Sequence, residues 1–367
     1  MVEREPPASR HLLPLLRDGS HVASMQLCDW DETVRLARAA RLLGTLARRL
    51  MADAAFWAQV PAPVQGHLRA ARNFAAHRAQ LLRMALRALE AALPPGVPVV
   101  LLKGAAYLAQ DLALAHGRLP GDVDLLVPRG HLDEVEQALC AAGWVSQVAD
   151  DYDQRYYREW SHELPPMRAP GHALEVDLHH AIAPVTSRCR GDADLLFADA
   201  IRLPRTRFAV PCAADQFIHA AIHLFQDTEL DVRLRDLVDL DGLLAAVDFS
   251  DGGGRFLRRA DAHGAGPLVW HALHHCRRWL ATAVPAGAWP AAPAAFERRA
   301  LDWIVPRVCL PRLPDVPPTV AERLARRAAQ ARYHWMRMPP ALLLRHAGHK
   351  LRLALPWVRR GTARQGA

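Results

Sequence analysis

Two aspartates one residue apart, Asp122 and Asp124, stand in the otherwise apolar segment DVDLLV that closes at Val127. On an extended chain side chains alternate between faces, so both carboxylates leave one side while Val123, Leu125 and Val127 leave the other. Ionised carboxylates side by side repel, and burial adds to the cost, so the pair asks for a compensating cation. Mg2+, or Mn2+ in its place, suits such a pair, because a few carboxylate oxygens, water and substrate phosphates complete its coordination in phosphoryl-transfer sites. Taken alone, an Asp-x-Asp also fits a strand end in solvent. What gives it weight is the junction upstream, where the apolar run Val99 to Leu102 stops at Lys103-Gly104 and the helical pattern AAYLAQDLALA begins. Unpaired N–H groups at a helix start, the positive end of its dipole and an adjacent ammonium suit a phosphate chain.

A two-cation site wants a third carboxylate from a neighbouring strand, to complete the pair and to take a proton from an attacking hydroxyl. The segment HALEVDLHHAI, His172 to Ile182, alternates apolar Leu174, Val176 and Leu178 with Glu175, Asp177 and His179. Asp177 is the candidate and Glu175 the reserve. Glu175 and His179 equally fit ordinary solvent-side strand positions.

The elements that must position these residues are legible in outline. From about His11 to Leu93 the chain reads as helix throughout, broken at Pro61 and Pro63 and closed by Pro94-Pro95-Gly96, with packing as its expected role. After the two strands, Pro128 to Gly143 reads as loop and helix, Trp144 to Val148 as strand, and the polar–aromatic DYDQRYYREW, Asp151 to Trp160, as an edge strand. Helix returns from Pro211. There His219 and His223 lie four apart, but no metalloprotease glutamate or third ligand accompanies them, so buried, hydrogen-bonded histidines are expected. Asp236 and Asp239 fit either the wall of a ligand pocket or pairing with Arg233 and Arg235. The expected organisation is a helical region over 1–95, a core over 96–205, a helical domain over 206–310, and a Pro-rich linker with a basic amphipathic tail over 311–367.

At 367 residues the chain has room for two or three domains. No run reaches the length of apolar residues that a spanning helix needs, the opening residues lack a signal-like apolar core, and the six cysteines show no close pairing. These features fit reduced thiols in a cytoplasmic protein. Thr319 to Ala367 holds eleven basic residues against the single acid Glu322, a charge of +10, so the remainder sits near −2 to give the total of +8. A uniformly basic nucleic-acid binder is thereby disfavoured. The tail suits an anionic membrane surface, nucleic acid, or a helix packed on the domain. Only Lys103 and Lys350 are lysines, against forty-four arginines, which singles out a compact ammonium at the strand–helix junction.

The motifs LLKGAA, GRLPGDVDLLV and LEVDLHH, in this order and spacing, resemble the uncharacterised nucleotidyltransferase family of bacterial proteins within the polymerase-beta-like superfamily, over roughly residues 68–244. The resemblance implies an α+β fold: a small mixed β-sheet nucleotidyltransferase core flanked by N-terminal helices and followed by a C-terminal helical domain. It also implies an enzyme that moves an NMP from an NTP such as ATP to a hydroxyl or phosphate acceptor, with loss of pyrophosphate. In that reading Asp122, Asp124 and Asp177 are the catalytic and metal-binding acids, Lys103, Gly104 and Arg118 contact the triphosphate, and the helix with His219 and His223 and the segment with Asp236 form the far wall. The acceptor, whether small molecule, RNA or protein, stays open. Ala105 stands where the wider superfamily has a serine, which leaves Lys103 as a substitute phosphate contact. The lysine-glycine form is also similar to RNA-modifying nucleotidyltransferase toxins. The alternative is a catalytically inactive nucleotide-binding or scaffold module of the same fold, membrane-associated through its tail.

Overall fold

The computed structural model describes residues 6–147 and 157–343. Its centre is one mixed sheet of seven strands: β1 Val100–Leu101, β2 Asp122–Leu126, β3 Val145–Ser146, β4 Met167–Arg168, β5 Glu175–His179, β6 Ile201–Arg202 and β7 Ala209–Val210, in the order β3-β4-β5-β2-β1-β7-β6. β2 lies in the middle, antiparallel to β1 and parallel to β5. Its register with β5 sets Asp122 opposite Glu175, Asp124 opposite Asp177 and Leu126 opposite His179. Paired residues of neighbouring strands project from the same face, so one side of two strands carries four acids and an imidazole. The other side, Val123, Leu125, Val176 and Leu178, is wholly buried. The α+β class expected from the sequence is the one observed.

The N-terminal helices form as their composition dictates. Ala62–Ala92 begins behind Pro61, has a proline in its first turn, and buries Val64, Leu68, Ala75, Leu82, Ala85 and Leu89, a stripe of helical spacing. It ends at extended Leu93, before Pro94. It packs on Leu43–Met51, which in turn docks backbone to backbone on the loop before β2. A Cβ on Gly44 would overlap the Gly117 carbonyl, and Gly117 itself has φ +87. Contact this close is open only to glycine.

Beyond the sheet the chain is helical again. Ala213–Ile222 packs on Leu234–Leu244 and on Gly266–Leu280, and Ala295–Val308 pairs with Val320–Arg337. The last of these opens on a capping box between Thr319 and Glu322 and buries Ala325 and Ala329, so this part of the basic tail is a packed helix. The rest of that tail, from residue 344, lies outside the described residues, as do residues 148–156. Residues 157–160, expected in an edge strand, are helical. No helix among the described residues is long and apolar enough to cross a membrane, and all six cysteines are unpaired.

Candidate active site

Asp124 is the deepest of the acids, 1% exposed. Its Oδ1 accepts from Lys103 Nζ at 2.7 Å and lies 3.0 Å from His179 Nε2. Burial works against its ionisation, yet Lys103 and His179 outweigh that and hold the carboxyl far below the ordinary range. The same contacts act in reverse on the partners. Burial would pull Lys103 down, but Asp124, Glu163 and Asp122 hold the ammonium above its usual value. Burial also opposes the charge on His179, and Asp124 and Glu163 again win, so its pKa is raised.

Asp122 sits one step toward the mouth and is pushed up by the Asp124 charge, with desolvation adding to it. Asp177 is raised to about 7, first by burial and then by Asp124 and Glu163. Thus Asp122, Asp124 and Asp177 meet on one face. Asp124 Oδ2 and Asp177 Oδ1, on directly opposed residues, are both buried with no hydrogen-bond partner. Orphaned carboxylate oxygens on opposed residues are hard donors of the kind Mg2+ or Mn2+ takes, although the clusters of three ligands with donor atoms within 4.8 Å of one another among the described residues do not include Asp122, Asp124 or Asp177.

The three residues expected at a triphosphate are otherwise engaged. Lys103 heads the helix Lys103–Ala109 with φ +44, a strained conformation for a lysine, and its ammonium lies on Asp124. Gly104 is buried, and a Cβ there would overlap Arg118 Nη1, so its bareness makes room for the guanidinium. Arg118 donates from Nε to Asp239 at 2.9 Å and stacks 5.5 Å from the Tyr107 ring centre. Ala105 is fully buried, leaving no hydroxyl at that position. Reserve candidate Glu175 is bound by Arg168 on β4, with Nε to Oε1 at 2.5 Å. His219 is buried and lowered to about 3 by desolvation and by the Lys103 charge. His223 lies 3.1 Å from Thr228, Asp239 pairs with Arg118, and Asp236 lies between Arg233 and Arg235.

Several side chains here had no sequence signal. Glu163 lies outside any regular strand, reaching the site through a bridge opposite His179, with Oε2 3.4 Å from His179 Nε2. Donor atoms of His162, Glu163 and His179 lie within 4.8 Å of one another, close enough to hold a metal ion. His179, which also fitted a solvent-side strand position, is completely buried. Its alternation with Asp177 puts it on the acid face, and only the neighbouring segment that covers it is invisible in the sequence.

Acids from two parallel strands stand on one sheet face, with the lysine that heads the helix Lys103–Ala109 bonded to one of them. The chain belongs to the uncharacterised nucleotidyltransferase family, whose sequence model matches residues 27–281. That span takes in the N-terminal helices from Leu27 as well as the sheet. No curated protein and no solved structure matches the chain.

Proposed function

We propose that this protein transfers a nucleoside monophosphate from an NTP to a hydroxyl or phosphate acceptor, with a divalent metal and release of pyrophosphate. The observation that carries the reading is the pair of orphaned oxygens on Asp124 and Asp177, set opposite each other on parallel strands. Asp122, Asp124 and Asp177 are the metal-holding acids. When bound, Mg2+ or Mn2+ would supply charge neutralisation for the triphosphate and a lowered pKa for the acceptor hydroxyl. The acceptor oxygen bonds to the α-phosphorus, the bridge to the β-phosphate breaks, and the pair of electrons leaves with pyrophosphate. Asp177 takes the hydroxyl proton. Lys103 has three N–H donors, of which Asp124 takes one. Its others, with the terminal nitrogens of Arg118 above Gly104, balance charge on the leaving pyrophosphate. Small molecules, RNA and protein are the acceptor classes to screen.

The test is incubation with α-labelled NTPs, Mg2+ or Mn2+, and a lysate then sorted into RNA, protein, lipid and small-molecule fractions. Label should appear in one fraction and vanish with Asp122→Asn/Asp124→Asn; label that survives both substitutions removes the assignment. One observation favours a second reading, a catalytically silent nucleotide-binding module: Lys103 already neutralises Asp124 without any metal. Calorimetry showing NTP affinity identical in EDTA and in Mg2+, with no label transfer, would select it.

A further inference from the structure

Three guanidiniums from three separate elements close on the short stretch that leads into β2. Arg41, in the turn between helices Leu27–Ala39 and Leu43–Met51, donates from Nη2 to the Leu119 carbonyl at 3.3 Å. Arg235, on Leu234–Leu244, donates from Nη1 to that same oxygen at 3.4 Å. Arg78, on the long helix Ala62–Ala92, grips the Pro120 carbonyl through Nε and Nη2 at 3.3 and 2.9 Å. The next residue is Gly121, beside which the Arg41 nitrogens stand, and then Asp122. Arg118 is the fourth guanidinium, and its charge and that of Arg235 reach Asp122 as well.

Carboxylates balance this group only in part, with Asp122 the one acid that acts on Arg41. Asp239 is taken by Arg118, and Asp236 lies 3.5 Å from Arg235. Among the described residues Arg41 and Arg78 form no ion pair and rest on backbone oxygens. Burial and the crowding of Arg235, Arg118 and Arg78 together pull Arg41 below its ordinary pKa. Arg41 also holds φ +58, a conformation glycine would adopt without strain. Like charges packed together are unfavourable unless something negative fills the space between them.

From this convergence we infer that Arg41, Arg78 and Arg235 form a phosphate-chain subsite at the mouth of the aspartate notch, so that the N-terminal helices bind substrate directly. Planar guanidiniums bind phosphate oxygens through paired N–H donors, which a lysine cannot reproduce. The phosphate chain belongs either to the NTP or to a phosphorylated acceptor. The inference deepens the transferase reading, since Asp122 borders both sites, but its test reads binding alone.

The probe is inorganic tripolyphosphate, titrated calorimetrically into the full chain in EDTA at fixed ionic strength. The wild type should bind it, and Arg41→Gln and Arg78→Gln should each weaken binding about 10-fold, with Arg41→Lys falling in between. Thermal melts accompany each variant. Arg41→Gln changes a turn residue whose side chain donates to one carbonyl, so it keeps the test open if Arg78→Gln unfolds. Competition between tripolyphosphate and ATP assigns the site to the NTP, and simultaneous binding assigns it to the acceptor. Wild-type affinity in folded Arg41→Gln, or no binding by the wild type, overturns the inference. Tripolyphosphate binding lost in Arg41→Gln while no label transfer is found would retain the subsite and discard the transferase reading. Label transfer with an unchanged KM in Arg41→Gln would do the reverse.

Discussion

Replacing Asp177 by asparagine should make the metal-free protein more stable, and the gain should grow with pH. Asp177 is held at about 7 against an ordinary value of 3.8. A carboxyl raised in this way binds more protons in the folded chain than in the unfolded one, so its ionisation erodes stability as pH rises between those two values. Each tenfold change in proton affinity is worth about 1.4 kcal/mol, which makes the penalty about 4 kcal/mol at pH 8 and about 2 kcal/mol at pH 5. Solvent at the notch mouth screens part of it, and half the larger figure, about 2 kcal/mol at pH 8, is the expected gain for asparagine. In a chain of this size that corresponds to a Tm rise of about 3 °C. The assay is thermal melting of both proteins in EDTA at pH 5 and pH 8, repeated with Mg2+. Asparagine should melt higher at pH 8, the difference should shrink at pH 5, and Mg2+ should stabilise the wild type far more than the variant. A variant that melts lower at pH 8 and keeps the full response to Mg2+ would refute the account of Asp177 as a strained, cation-seeking acid.

Affinity for Mg2+, measured by calorimetry in buffers of different ionisation enthalpy, should rise with pH up to about 7 and then level off, with release of close to one proton below that point. A flat profile would place the ion elsewhere. Lys103→Met leaves the Asp124 carboxylate buried with only His179 beside it, so urea unfolding should show a loss of about 2–4 kcal/mol, part of which Mg2+ restores by replacing the ammonium; an unchanged midpoint would contradict the pairing. Gly104→Ala drives a methyl group into Arg118 Nη1, and because Asp239 pins that side chain, the predicted cost is about 1–3 kcal/mol. If Gly104→Ala melts with the wild type, the close approach of Arg118 is not a constraint.

The face on which each acid stands was legible because strand alternation needs no tertiary knowledge. The alternation of polar and apolar residues in DVDL and LEVDLH fixes the face on which Asp122, Asp124, Asp177 and His179 stand. Parallel pairing of β2 with β5, which turns two acid faces into one notch, depends on register and has no local signature. Glu163 was invisible for the same reason, since a lone bridge opposite His179 leaves no periodic trace. Nothing in the local sequence distinguishes Arg41, Arg78 and Arg235 from the many other arginines of the helical regions. Packing alone turns all three onto the Leu119 and Pro120 carbonyls. Gly104 shows a different limit. Its place at the strand–helix junction marks it as special in the sequence, but only the folded chain reveals that the Arg118 guanidinium fills the space its missing side chain leaves.

The single oxygen of Asp124 shared by Lys103 and His179 bears on how the metal-free site is held together. With an ammonium and an imidazole resident on it, the most deeply sunk acid never waits for an ion from outside to become tolerable. In contrast to small metal-dependent domains that collapse when stripped, this chain holds a resident positive charge on its most buried site acid. If the proposed transfer depends on a cation, chelation should abolish it while the chain stays folded, with only the modest loss of stability that the Asp177 carboxylate imposes.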